Sequence, residues 1–160
     1  MEPPESPTRA SELIWTVMNG TALATGADFF PALVRHLASA LGVQHAFVAE
    51  CTDLRKSRVR TLAFWSGQSL ANNVEYDLAG TPCEAVIGGE TALHKDDVQT
   101  RFPQDRDLAT LGARSYLGLP LVATSGEILG HLAVLDADPL RDDEVTTAVL
   151  RTFAARAAME

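Results

Sequence analysis

Residues Gly80–Asp138 read GTPCEAVIGGETALHKDDVQTRFPQDRDLATLGARSYLGLPLVATSGEILGHLAVLDAD, and this stretch decides how the rest of the chain is read. Its second half holds two apolar runs, Ser115–Ala123 and Ile128–Ala137, joined by Thr124-Ser125-Gly126-Glu127. Apolar runs of strand length on either side of a short glycine-bearing turn predict an antiparallel pair. The first half has another character. Pro82–Ile87 is helical in composition, with Pro82 suited to a first helical turn, and Gly88-Gly89 stops it. Ala92–Lys95 reads as a short strand. Asp105–Leu111 reads as a short helix with Asp105 at its N-cap and Gly112 at its end.

Working outward, residues 1–10 are rich in proline and polar groups and read as a disordered tail. Residues 11–160 read as a single domain with its core over 28–158. Ser11 caps a predicted short helix, Glu12–Met18, that stops at Asn19-Gly20. Asp28 is placed to cap the next helix. There Phe30, Leu33, Val34, Leu37, Ala38 and Leu41 recur at helical spacing and mark one buried face. Gly42 then stands where a left-handed C-cap is needed. Strands are predicted at Gln44–Cys51, Val59–Trp65 and Asn73–Leu78, the first two joined by the charged turn Asp53–Arg58. Beyond the breaker Asp138-Pro139 a last helix starts near Asp142 and is expected to run at least to Met159. It ends without a stop signal, as a helix continuing into a further module would.

The chain has 160 residues, 46% of them hydrophobic and 21% charged, the ordinary balance of a globular protein. A formal charge of −8 with scattered arginines argues against nonspecific binding to nucleic acid or to an anionic membrane. The locally basic run Arg55–Arg60 reads as a solvated turn. No apolar run reaches the roughly 18 residues of a membrane span, and the N-terminus lacks a secretory pattern. Two cysteines, Cys51 and Cys83, form no disulfide framework, and the expected compartment is a reducing cytoplasm.

Consecutive strands on short turns imply an α+β architecture with a central antiparallel sheet. The long N- and C-terminal helices then cover one face, and Asn72–Gly112 is left to cover the other as a short-helix and loop insert that bounds a pocket. The order of the SYLGLPL strand, the SGE turn, the LGHLAVLD strand and a closing amphipathic helix resembles the GAF domain family, over roughly Asp28 to Glu160. The resemblance implies a GAF-like, PAS-related fold. It also implies a noncatalytic sensory or regulatory role in a bacterial-type signal transduction protein. Members bind small molecules or chromophores, or dimerise, and pass that state to an output domain or partner. A homodimer through Glu12–Met18 and the terminal helix, with Phe30–Leu41 partly involved, is therefore expected, with an unidentified small molecule as ligand. The alternative is a purely structural dimerisation module whose pocket is filled by its own side chains.

Nine residues are expected at the pocket: Trp65, Tyr76, Cys83, Val86, Phe102, Leu111, Tyr116, His131 and Ala133. Cys83 follows Pro82 at a helix start, where unpaired backbone N–H groups favour a thiolate; the plainer reading is a buried, inert thiol. Free methionine-(R)-sulfoxide reductases, an enzymatic branch of the family, place a cysteine in a similar segment. They also need a second one in the stretch corresponding to Phe102–Ser115, which here has none. His131 in mid-strand can bind haem or a metal or hydrogen-bond a ligand carboxylate; the plainer reading is a histidine satisfied by backbone or water. The other histidines, His36, His45 and His94, show no metal-site spacing, and His36 is expected on the solvated side of its helix. Arg101, Arg106 and Arg114 are candidates for pairing an anionic ligand. The motif of cyclic-nucleotide relatives is missing, and Cys83 is followed by Glu84 where bilin-binding relatives usually have histidine. Gly112, Gly118, Gly130 and Ala133 leave room either for a cavity or for close packing.

Overall fold

The computed structural model describes residues 5–140 and 143–159, with the backbone alone at 5–8 and 143. The first helix, α1, runs Glu5–Thr21, longer at both ends than the predicted Glu12–Met18. It takes in Ser11 and six residues of the expected tail, because Ala10, Leu13 and Ile14 pack on the core. Asn19-Gly20 does not stop it. A Cβ on Gly20 would stand 2.5 Å from the His36 ring, so glycine here lets the next helix lie close. His36 is accordingly half-buried against α1, not on a solvated face. After a single 3₁₀ turn, α2 spans Phe29–Leu41, and Gly42 closes it at φ 67° in the left-handed region. Asp28 occupies the N-cap position without a side-chain capping bond, and Phe29, not Phe30, is the fully buried aromatic.

Strands β1 (His45–Cys51) and β2 (Arg58–Ser66) form the expected antiparallel pair. A two-residue strand, β3 (Ser69–Leu70), and a short β4 (Glu75–Asp77) pair with β2. The segment predicted as Asn73–Leu78 thus narrows to three paired residues. The insert follows with α3 (Cys83–Ile87), β5 (Ala92–His94), α4 (Val98–Arg101) and α5 (Arg106–Leu111). Helix α4 carried no recognisable signal in sequence. Asp105 caps α5 by accepting the Asp107 N–H at 3.2 Å, and Gly112 ends it at φ 67°. Then come β6 (Ser115–Val122) and β7 (Ile128–Asp136). The last helix, α6, spans Asp143–Ala157 and closes in a tight turn at Ala158-Met159, short of the predicted extent. Its expected start at Asp142 lies outside the described residues. The sheet has seven antiparallel strands in the order β3-β2-β1-β7-β6-β5, with β4 beside β2.

Side chains alternate between two buried layers. Val48, Leu117, Leu119, Leu132 and Val134 face α1, α2 and α6. Phe47, Ala49, Tyr116, Ala133 and Leu135 face the insert. The helical layer on one side and the insert on the other are as the sequence predicts. No helix among the described residues is long and apolar enough to cross a membrane. The basic turn is held by ion pairs of Arg58 with Asp77 and Arg60 with Glu50.

Candidate functional site

Between the sheet and the insert lies a cavity of about 220 Å³. Its walls are four aromatic rings, each delivered by a different strand: Phe47, Phe64, Tyr76 and Tyr116. Phe47 and Phe64 stack with centroids 5.4 Å apart and planes 14° from parallel. Cys83, at the start of α3, and Leu135 form the floor, and Asp105, Asp107 and Leu111 of the α5 region form the rim. The Tyr116 hydroxyl donates to Cys83 Sγ at 3.1 Å, and the Tyr76 hydroxyl lies 3.4 Å from the same sulfur. Gly118 makes the Tyr116 pose possible, because a Cβ there would stand 2.5 Å from the hydroxyl oxygen. This glycine serves close packing.

Burial controls the ionisation of these groups. It pushes the Cys83 thiol up to about 11, while the tyrosine hydrogen bonds pull the other way. Tyr76 and Tyr116 are raised by burial and by the neighbouring thiol. All three are neutral near pH 7, so a thiolate is not favoured at this helix start and Cys83 sits as a buried, neutral thiol. Asp105 is raised by burial and by Asp107, against the backbone N–H groups that hold it down.

The rim is fastened by a residue that sequence reasoning passed over. His45 Nε2 lies 3.0 Å from the Leu111 carbonyl and Nδ1 lies 3.0 Å from Ser66 Oγ. A carbonyl only accepts, so Nε2 carries the proton and Nδ1 accepts from the serine. Burial lowers the His45 pKa, opposed by the Leu111 carbonyl and Asp136.

Of the nine expected pocket residues, Tyr76, Cys83, Leu111 and Tyr116 line the cavity. Val86 and Ala133 are buried in the same core without reaching it. Phe102 packs edge-on to His94 at 5.1 Å. His131 is fully buried edge-on to Phe47 at 5.2 Å, neither ring nitrogen has a partner, and burial pushes it down to about 3. Trp65 packs on the helical face instead. The reason is a bulge: Val48 pairs Ala63 but Ala49 pairs Thr61, leaving Leu62 unmatched. Strict alternation from Val59 would have put Trp65 over the insert; the extra residue puts Phe64 there. The candidate arginines do not line the cavity, and Arg101 and Arg114 pair with Asp97 and Asp96.

A larger depression of about 520 Å³ lies between the β1–β2 and β6–β7 turns and includes Cys51. Its charged groups are already engaged: Lys56 Nζ donates to the Ile128 carbonyl at 2.8 Å and sits 3.6 Å from Glu127. The aromatic cavity is the better-built site, and Cys51 does not line it. Among the described residues, no group of three or more His, Cys, Asp or Glu is placed to hold a metal ion.

The family model described as GAF domain matches residues 26–160. No curated protein matches the sequence. The A. aeolicus nlh2 GAF domain in an inactive state superposes with TM-score 0.73 at 15% identity, covering 96% of this chain and 96% of that one. The GAF domain of a phosphoenolpyruvate-protein phosphotransferase from Coxiella burnetii gives 0.73 at 17% identity, covering 96% and 92%. A phycocyanobilin-bound GAF domain from a cyanobacterial phytochrome gives 0.66 at 12% identity, covering 94% of each. At such identities the likeness is one of fold.

Proposed function

The chain belongs to the GAF domain family, whose members are sensory and regulatory domains of signalling proteins. From that premise we propose that it is a noncatalytic sensor of a bacterial-type signal transduction protein. It takes a small ligand into the sheet–insert cavity and pairs with a second copy through its terminal helices to control an output. The observation that carries this reading is the aromatic cavity closed by short elements, set opposite the helical layer to which α1 and α6 belong. A ligand filling the cavity orders α3 and α5, and the sheet between the layers is the rigid body through which that ordering reaches α1 and α6. For pairing, α1 offers Trp15 and Met18, 65% and 53% exposed on one helical stripe.

The sulfoxide-reductase reading loses ground here. It needs a reactive thiolate and a resolving thiol, whereas Cys83 is held neutral and Cys51 lines a different depression. A bilin-type chromophore is also a poor fit for a cavity of about 220 Å³, below the roughly 300–1,000 Å³ of drug-sized sites. Native mass spectrometry of protein purified from cells, before and after denaturation, tests the proposal. The expected result is a dimer carrying an excess mass that denaturation removes, with Trp15→Glu giving folded monomer. A monomer at every concentration with a clean apo mass would overturn it.

A further inference from the structure

We infer that the cavity selects a compact organic cation, an ammonium group on an aromatic or aliphatic body, over an anion of the same shape. The inference rests on reading the cavity as the ligand site and adds the charge and size of what enters it.

Three observations carry it. The first is the charge of the lining: Asp105 and Asp107 contribute carboxylates, and no lysine, arginine or histidine lines the cavity among the described residues. No salt bridge among the described residues uses either carboxylate. The remaining ionisable groups of the lining, Tyr76, Cys83 and Tyr116, are neutral, so an entering anion meets repulsion with no counter-charge. The second is the ring set. Four aromatic side chains converge on one small space, and the faces of such rings carry negative electrostatic potential that attracts an ammonium group. The third is a strain that a cation relieves. Asp105 is half-buried, and both that burial and the nearby Asp107 carboxylate disfavour its charge. Capping α5 engages Asp105 through the backbone N–H groups of Asp107, at 3.2 Å, and Leu108, and leaves the exposed Asp107 carboxylate for a ligand. The tyrosine hydroxyls add acceptor lone pairs that sulfur, a weak partner, does not exhaust.

Size sets the remaining limit. About 220 Å³ accommodates a single ring with a short side arm, not a nucleotide or tetrapyrrole.

The test uses three probes with one ring and similar length: phenethylammonium, 2-phenylethanol and phenylacetate. Each is titrated into the full chain, read by calorimetry and by amide NMR shifts at Phe47, Phe64 and Tyr116. Phenethylammonium is expected to bind about tenfold or more tightly than phenylacetate, with 2-phenylethanol between them. Its advantage should shrink with added salt. Asp107→Asn, which leaves the Asp105 cap in place, should remove most of that advantage and leave 2-phenylethanol unchanged. Phenylacetate or 2-phenylethanol binding as tightly as the amine at these residues overturns the cation assignment while the cavity stands as a ligand site. No shift at these residues with any probe at millimolar concentration overturns both.

Discussion

The two faces of one sheet are built to different rules. Toward α1, α2 and α6 the strands present Val48, Leu117, Leu119, Leu132 and Val134, aliphatic groups packed on helices of 13 to 17 residues. Toward the insert they present Phe47, Phe64, Tyr116 and His131 against helices of four to six residues. On this face hydroxyls meet a sulfur, a histidine has no partner, and a cavity is left open. A short helix has too few internal bonds to stand alone and depends on what it packs against. The helical face therefore carries most of the fold's stability, and under the proposed function the insert face is the one that meets the ligand.

The largest break in that comparison comes from the helical face. Leu132 is fully buried at the centre of the sheet, and Leu132→Ala should cost about 2–5 kcal/mol through lost burial and a residual cavity. Urea denaturation measures it. A loss under about 1 kcal/mol would mean that the helical layer repacks freely and is not the rigid side.

The insert face should respond with the opposite sign at His131. Its ring is buried with both nitrogens unpaired, so His131→Leu, close in volume and apolar, should stabilise by about 1–3 kcal/mol at neutral pH. The pH dependence sharpens this. Burial lowers the His131 pKa from 6.5 to about 3, so the folded state takes up this proton less readily than the unfolded chain. The contribution to stability is intact above about 6.5 and is lost as pH falls toward 3, by about 1.4 kcal/mol per pH unit inside that window. The variant lacks this loss, so the stability gap between variant and wild type should widen on acidification. A gap that stays constant from pH 7 to about pH 4.5 would mean that His131 is paired in solution.

How much of this was legible in sequence follows the same division. The helical face announces itself: the spacing of Leu33, Val34 and Leu37 and the Gly42 stop are local signals, and the structure repeats them. The insert face hides its key positions behind non-local events. Trp65 is expected at the pocket as one of the chain's aromatics, but the bulge at Leu62 reverses the strand's phase and brings Phe64 there instead. His45 gave no signal, since its role depends on Leu111, 66 residues away in the chain. Cys83 lines the cavity, yet its chemistry depends on two tyrosine hydroxyls that only the fold brings to it. Gly20 was misread because glycine ends helices and also lets helices approach. Here the approach of His36 decided.

The smallest expected effect tests what the insert face is for. The Tyr76 hydroxyl reaches only a sulfur at 3.4 Å, a weak partner, and its ring stays in place when the oxygen is removed. Tyr76→Phe should therefore cost less than about 1 kcal/mol in stability. It also takes away one of the hydrogen bonds that hold the Cys83 pKa down, so the thiol should ionise at a still higher pH. Thermal melts and the pH dependence of Cys83 alkylation read the two effects separately. If the hydroxyl supported the fold as Leu132 does, the melt would fall steeply and the contrast between the faces would fail. A small change in the melt with a clear change in the thiol or in ligand affinity would identify the Tyr76–Cys83–Tyr116 cluster as machinery for recognition, carried by a sheet whose stability comes from its other side.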